Sequence, residues 1–167
     1  MDPLSDLLRV VRLDGAYFYA VEATAPWSVE TVPSRQRIPR ILPESEHLIS
    51  YHILTEGRCW GGVSGEEQIE LVAGDVIVFP HGDAKLMSSE RGLRLGRELY
   101  TSAPDRYPHT LVLGNHGPPT ASFVCGFLGC DRRPFNPLIA ALPRRLHLRG
   151  MSNAYFDDLT RRLTQES

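Results

Sequence analysis

His52, His81 and Cys125 are the side chains of this sequence best suited to hold a metal ion or handle a proton. Two imidazoles and a thiolate form a soft nitrogen and sulfur donor set that suits zinc or another divalent metal, provided the three converge. The same residues fit a second chemistry, a metal-free pocket for a small molecule to which Lys85 and the aromatic Trp60 and Tyr51 contribute. Lys85 then pairs with an acidic ligand or else lies solvated at the surface. A third reading assigns no chemistry: His52 is a hydrogen-bonded core histidine and Cys125 a small buried apolar residue. The choice depends on the elements that position these side chains.

His81 lies in GDVIVFPHGD, residues 74 to 83. Gly74-Asp75 makes a tight turn, Val76 to Phe79 a core strand, and Pro80 ends its hydrogen bonding. Gly82 permits a backbone shape that residues with a Cβ resist. His81 is thereby held at a strand exit, with Asp83 two residues on. His52 falls on a strand over His47 to Leu54. Cys125 falls in the middle of another over Ala121 to Leu128, where Cys125 and Phe123 face one way and Val124 the other.

Around these run further short strands. Tyr17, Tyr19 and Val21 alternate with Phe18, Ala20 and Glu22, and Arg37 to Leu42 reads as an edge strand because of Pro39. Cys59 to Val63 leads through the turn Ser64 to Glu67 into Gln68 to Val72, and Lys85 to Ser88 follows Gly82. Many short strands without helices between them imply a sandwich or barrel. Residues 90 to 119, rich in glycine and proline, read as a long loop around the apolar run Leu111 to Leu113.

Helices are expected at the two ends. Pro3 to Leu13 has Leu4, Leu7, Leu8 and Val11 at helical spacing, and Asn136 to Leu142 is a short helix between prolines. From Ser152 or Asn153 a closing helix carries the stripe Phe156, Leu159 and Leu163. It shows no stop signal before Ser167, so the natural chain is expected to continue.

The 167 residues fit one domain, and with 42% hydrophobic and 23% charged residues they can bury a core without disulfides. A net charge of -2 argues against a chain that grips nucleic acid or an anionic membrane by itself. The pairs Arg132-Arg133 and Arg144-Arg145 read as a solvated surface. Cys59, Cys125 and Cys130 are odd in number and form no CxxC, as expected of thiols in a reducing compartment. With no signal peptide and no long apolar stretch, the expected location is the cytoplasm, away from the membrane.

The spacing of Gly74, Pro80 and Gly82 resembles the second motif of the cupin superfamily, a double-stranded β-helix or jelly roll barrel. In metal-binding cupins a histidine ligand follows three positions after the glycine, and here that position is Lys85. The glutamate of the first motif falls on Ser50, and no His-x-His precedes it. The resemblance therefore implies the fold without the usual metal site. Because the Ser50 position points into a cupin barrel, it also implies that His52 faces the interior, with His81 beside it.

A longer likeness runs through MDPLSDLLRVVRLDGAYF, ISYHILTEGRCW, GDVIVFPHGDA, VCGFLGCDRRPFNPLIAALPRRLHLRG and the closing helix. Together these resemble the N-terminal cupin domain of AraC-type transcriptional regulators. The resemblance implies a sensor domain over residues 1–150 that binds a small-molecule effector at His52, Trp60, His81, Lys85 and Cys125. Residues 151–167 then begin a helix that serves dimerisation or links to a DNA-binding domain absent from this chain. A homodimer paired through that helix is implied in the same way. The alternative is a stand-alone metal-dependent cupin enzyme of oxygenase or isomerase type, with the metal on His52, His81 and Cys125.

Overall fold

A computed structural model describes residues 13–95, 110–130, 137–150 and 158. In chain order it contains β1 (Leu13–Thr24), β2 (Ser28–Glu30), a 3-10 turn (Ser34–Gln36), α1 (Ile38–Ile41) and β3 (His47–Val63). There follow β4 (Ile69–Val72), β5 (Val76–Phe79), β6 (Lys85–Ser88), β7 (Thr110–Gly114), β8 (Ala121–Cys130), α2 (Pro137–Ala141) and β9 (Leu146–Leu148). The fold is mainly β and consistent with a cupin barrel, and its strands form one curled sheet.

β3 makes the curl. Its first half pairs with β8 on one side and β5 on the other, while its second half pairs with β4 and β6. Between the halves the register slips at Leu54/Glu56. A slip of this kind adds a residue to one strand and reverses which side chains face the core. Before it the even positions Ser50, His52 and Leu54 are buried inward; after it the odd positions Cys59 and Val63 join the same core. Two strands expected on either side of Glu56-Gly57 are thus one strand with a bulge.

β8 lies between β3 and β1 and is covered on both faces, which explains a run of Phe, Val and Cys without polar alternation. Phe123, Cys125 and Phe127 enter the main core; Val124 joins a smaller cluster with Ile53 and Val76 on the opposite face. Gly126 is required there, because a Cβ would collide with the ring of Tyr51. Fully buried Trp27, Phe79, Phe127 and Leu48 anchor the core, each side chain worth about 1.5–3 kcal/mol of transfer free energy.

Other expectations need correction. Arg37 to Leu42 is not an edge strand but the single helical turn α1, with Pro39 among its first residues, where a missing N–H costs nothing. The loop read over residues 90 to 119 includes β7, which pairs in parallel with β1. β2 and β9, three residues each, are too short for periodicity to reveal. The short helix expected near 136–142 is α2. The helices expected over 3–13 and from 152 onward lie outside the described residues, apart from Leu13, which opens β1, and Asp158.

Candidate functional site

A cavity of about 30 Å³ opens between the two halves of the curled sheet. This exceeds the roughly 10–15 Å³ at which a cavity can hold a water. Its wall is drawn from distant parts of the chain: Tyr19 and Val21 on β1, His52 on β3, Lys85 and Met87 on β6, Leu111 and Leu113 on β7, Phe123 and Cys125 on β8. Trp27, Val29, Thr31 and Arg37 complete it. Alternation along β6 explains how a lysine arrives there, since Lys85 and Met87 share one face of the strand.

Lys85 is 3% exposed and, among the described residues, has no carboxylate against it. Its Nζ lies 5.3 Å from the centre of the Phe79 ring and 5.4 Å from that of Phe127. The Arg37 guanidinium stands over the same Phe127 ring at 4.7 Å. Aromatic faces attract cations, but by about 0.5–2 kcal/mol, which does not replace a counter-ion. Burial, and then the charge of Arg37, push the Lys85 pKa down to about 7.

His52 is 5% exposed, edge-on to Phe79 at 6.1 Å and Phe123 at 6.3 Å. Burial first, then the charges of Lys85 and Arg37, hold its pKa well below the ordinary value, so the ring is neutral. Its Nδ1 lies 2.7 Å from Cys125 Sγ. Burial pushes the Cys125 thiol up to about 12, so it keeps its proton near neutral pH, and Tyr19 hydrogen-bonds to the sulfur. The S–H donates to Nδ1, which leaves the ring proton on Nε2. That Nε2, the Lys85 Nζ and the Trp27 Nε1 are all buried without a hydrogen-bond partner among the described residues. An unpaired buried polar group costs about 1–3 kcal/mol, and three of the lining residues carry one, which makes this cavity the candidate site.

The wall carries Arg37, Lys85 and His52 and, among the described residues, no Asp or Glu. What it offers a guest is a set of N–H donors backed by positive charge.

Of the five sequence-predicted site residues, His52, Lys85 and Cys125 come together in this cavity and two do not. His81 stands at the exit of β5 as expected, but its Nε2–H donates to the Leu142 carbonyl at 2.8 Å, away from the cavity. Trp60 lies on the opposite face of β3 with the Arg91 guanidinium 5.7 Å from its ring centre. Counting by twos from His52 brings residue 60 inside; the bulge at Leu54/Glu56 sends it out. Tyr51 likewise packs on the outer face, over Gly126.

The trio His52, His81 and Cys125 therefore does not assemble. Among the described residues no three His, Cys, Asp or Glu side chains are placed to share a metal. His52 Nδ1 and Cys125 Sγ already satisfy each other, and the nearest charges, Lys85 and Arg37, would repel a divalent ion. The residues do not fit a metal.

Sequence reading missed Arg37, because its segment was taken for a strand, and Trp27, which sits in a stretch without periodicity. It also missed Asp75, a buried carboxylate beside β5. Asp75 Oδ2 accepts from the Val72 N–H at 3.2 Å and lies 2.9 Å from His147 Nε2, while Oδ1 accepts from the Gly150 N–H at 3.1 Å. Desolvation pushes this carboxyl up, but the bonds from His147, Val72 and Gly150 outweigh it and hold its pKa below the ordinary value.

No curated protein matches the chain. A family model described as Cupin matches residues 2–167, nearly the whole length, and agrees with the curled sheet and the interior cavity described above. The chain belongs to the cupin family.

Proposed function

We propose that this chain is the effector-binding domain of an AraC-type transcriptional regulator. A small molecule occupies the barrel cavity, and its binding is relayed to a DNA-binding domain outside these residues. The observation that carries the reading is the cavity itself, with Lys85 Nζ and His52 Nε2 buried and unpaired on its wall. A binding site has reason to keep such costly open valences, because the ligand satisfies them. The family contains enzymes as well as binding domains, and a metal-dependent cupin reaction needs ligands that the described residues do not assemble.

The net charge of -2 fits a chain that leaves DNA contact to another domain. Among the described residues no helix is long and apolar enough to cross a membrane. A cytoplasmic location, and pairing of two copies through the stripe Phe156, Leu159 and Leu163, belong to the same proposal. Leu159→Glu should convert a dimer into a folded monomer, as read by solution sizing.

The test couples binding to transcription. Small molecules are screened for a rise in the melting temperature of the purified protein, because a ligand of the folded state stabilises it by mass action. Each hit is then applied to cells carrying a reporter on the promoter beside the gene. A hit that changes both readouts in wild type and neither in His52→Ala supports the proposal. Reporter output that ignores every cavity variant overturns it.

A further inference from the structure

The donors on the cavity wall narrow the chemistry of the guest. Trp27 Nε1 can only donate, and the Cys125 thiol bonded to His52 Nδ1 turns the far side of that ring into a donor as well. Lys85 and Arg37 share the Phe127 ring, and Lys85 and His52 share Phe79, so the three basic groups stand at one end of the cavity. Val21, Val29, Leu111 and Leu113 contribute an apolar wall. A sugar needs acceptors as well as donors, and an inorganic oxyanion leaves the apolar wall without a partner. A room of about 30 Å³ admits only a small guest.

We infer that the cavity takes a short-chain carboxylate, whose oxygens accept from Lys85 and His52 and whose alkyl part meets the apolar wall, and that Lys85 takes up a proton from solvent when it binds. This rests on the effector-binding reading above and names its ligand class. Every element packed around Lys85 agrees with the proton uptake. The charge of Arg37 at the start of α1 disfavours a second charge; His52 on β3 is neutral; Cys125 on β8 is a protonated thiol bonded by Tyr19 on β1; Phe79 and Phe127 present ring faces. The amine, with a pKa near 7, is therefore partly neutral in the free protein. A bound carboxylate supplies the missing counter-ion and restores the ammonium.

Acetate, propionate and butyrate are the probes, with propionamide as the neutral isostere of propionate. Calorimetric titration of the whole chain from pH 6 to 9, in two buffers of different ionisation enthalpy, reads affinity and proton uptake together. The expected result is binding by carboxylates and not by propionamide, with affinity falling as pH rises above 7. One coupled proton gives up to tenfold per pH unit. Lys85→Met should bind propionate at least tenfold more weakly and lose the pH slope, while Lys85→Arg should keep binding and lose the slope. Propionamide binding as tightly as propionate overturns the inference while leaving the effector-binding reading intact. Equal carboxylate affinity in Lys85→Met, or no carboxylate binding at all, overturns it too. Only a promoter reporter indifferent to the cavity variants counts against the wider reading.

Discussion

His52 and His147 sit in one row of the sheet, each paired with Ile77 of β5, one from either side. His52 belongs to the central strand β3, faces the cavity and keeps a ring nitrogen unpaired; His147 belongs to the edge strand β9 and lies against Asp75. The difference extends to their surroundings. At the edge, every polar group named has a partner: Asp75 has three, Arg144 joins Asp83 and Glu66, Arg145 donates to the Glu67 carbonyl and His81 to that of Leu142. These bonds hold the segment from Leu142 to Gly150 against the barrel. In the middle, Lys85 Nζ and His52 Nε2 are buried with no partner among the described residues. Closed polar networks serve cohesion, whereas open ones cost stability and have to be explained by a ligand.

The largest effect is expected where the closed network is broken. Asp75→Ala leaves three donors without an acceptor and should cost about 3 kcal/mol in urea unfolding. The pH dependence has a definite sign. Because the folded pKa is depressed, Asp75 contributes its stability above the ordinary carboxyl pKa, and that stability is lost as pH falls through the folded value. Wild type should therefore lose more stability on acidification than the Ala variant does. Equal acid sensitivity would break the contrast between edge and interior.

The opposite sign is expected inside. Lys85→Met replaces an unpaired buried amine with an apolar side chain of similar shape and should stabilise the ligand-free protein by about 1–3 kcal/mol at pH 7. Between pH 7 and 10.5 the unfolded chain carries a lysine proton that folded Lys85 has shed, so wild-type stability rises with pH across that window. The slope is at most about 1.36 kcal/mol per pH unit and should vanish in Lys85→Met. Destabilisation by Lys85→Met would place the lysine with the closed network.

Gly82 separates the two regions at the turn between β5 and β6. Its φ is +69°, and an added Cβ would come within 2.9 Å of Ser34 Cβ. Gly82→Ala should cost about 1–2 kcal/mol, seen as a lower urea midpoint with an unchanged slope. The smallest effect belongs to Arg144→Ala. Its ion pairs with Asp83 and Glu66 lie at the surface, and the melting temperature should move by no more than about 2 °C. A larger drop would show that the strap from Leu142 to Gly150 depends on this arginine.

Local patterns were legible wherever one strand faces one core. The strands at Val76 to Phe79 and Lys85 to Ser88, and the opposed faces of Phe123 and Val124, follow from alternation and turn residues alone. Trp60 shows where that logic stops: one extra residue at the bulge reverses every side chain after it, and no residue type in Leu54-Thr55-Glu56 announces the reversal. Lys85 shows a second limit. A lysine after a glycine turn reads more often as solvated surface, and only the closing of β6 onto β3 buries it.

The sequence by itself determined a mainly β chain of cupin type, a histidine on the inner face of the central strand and a lysine where a metal ligand would stand. The mainly β character follows from residue spacing along single strands, which backbone geometry translates directly into faces, whereas the inward histidine and the lysine at a ligand position are what the resemblance to cupins implies. Tertiary structure alone decided that Arg37 joins Lys85 and His52, that His81 turns to the edge, and that Asp75 finds His147, 72 positions away. Such meetings depend on register between strands far apart in the chain, and register is set by the packing of the whole sheet rather than by any one segment.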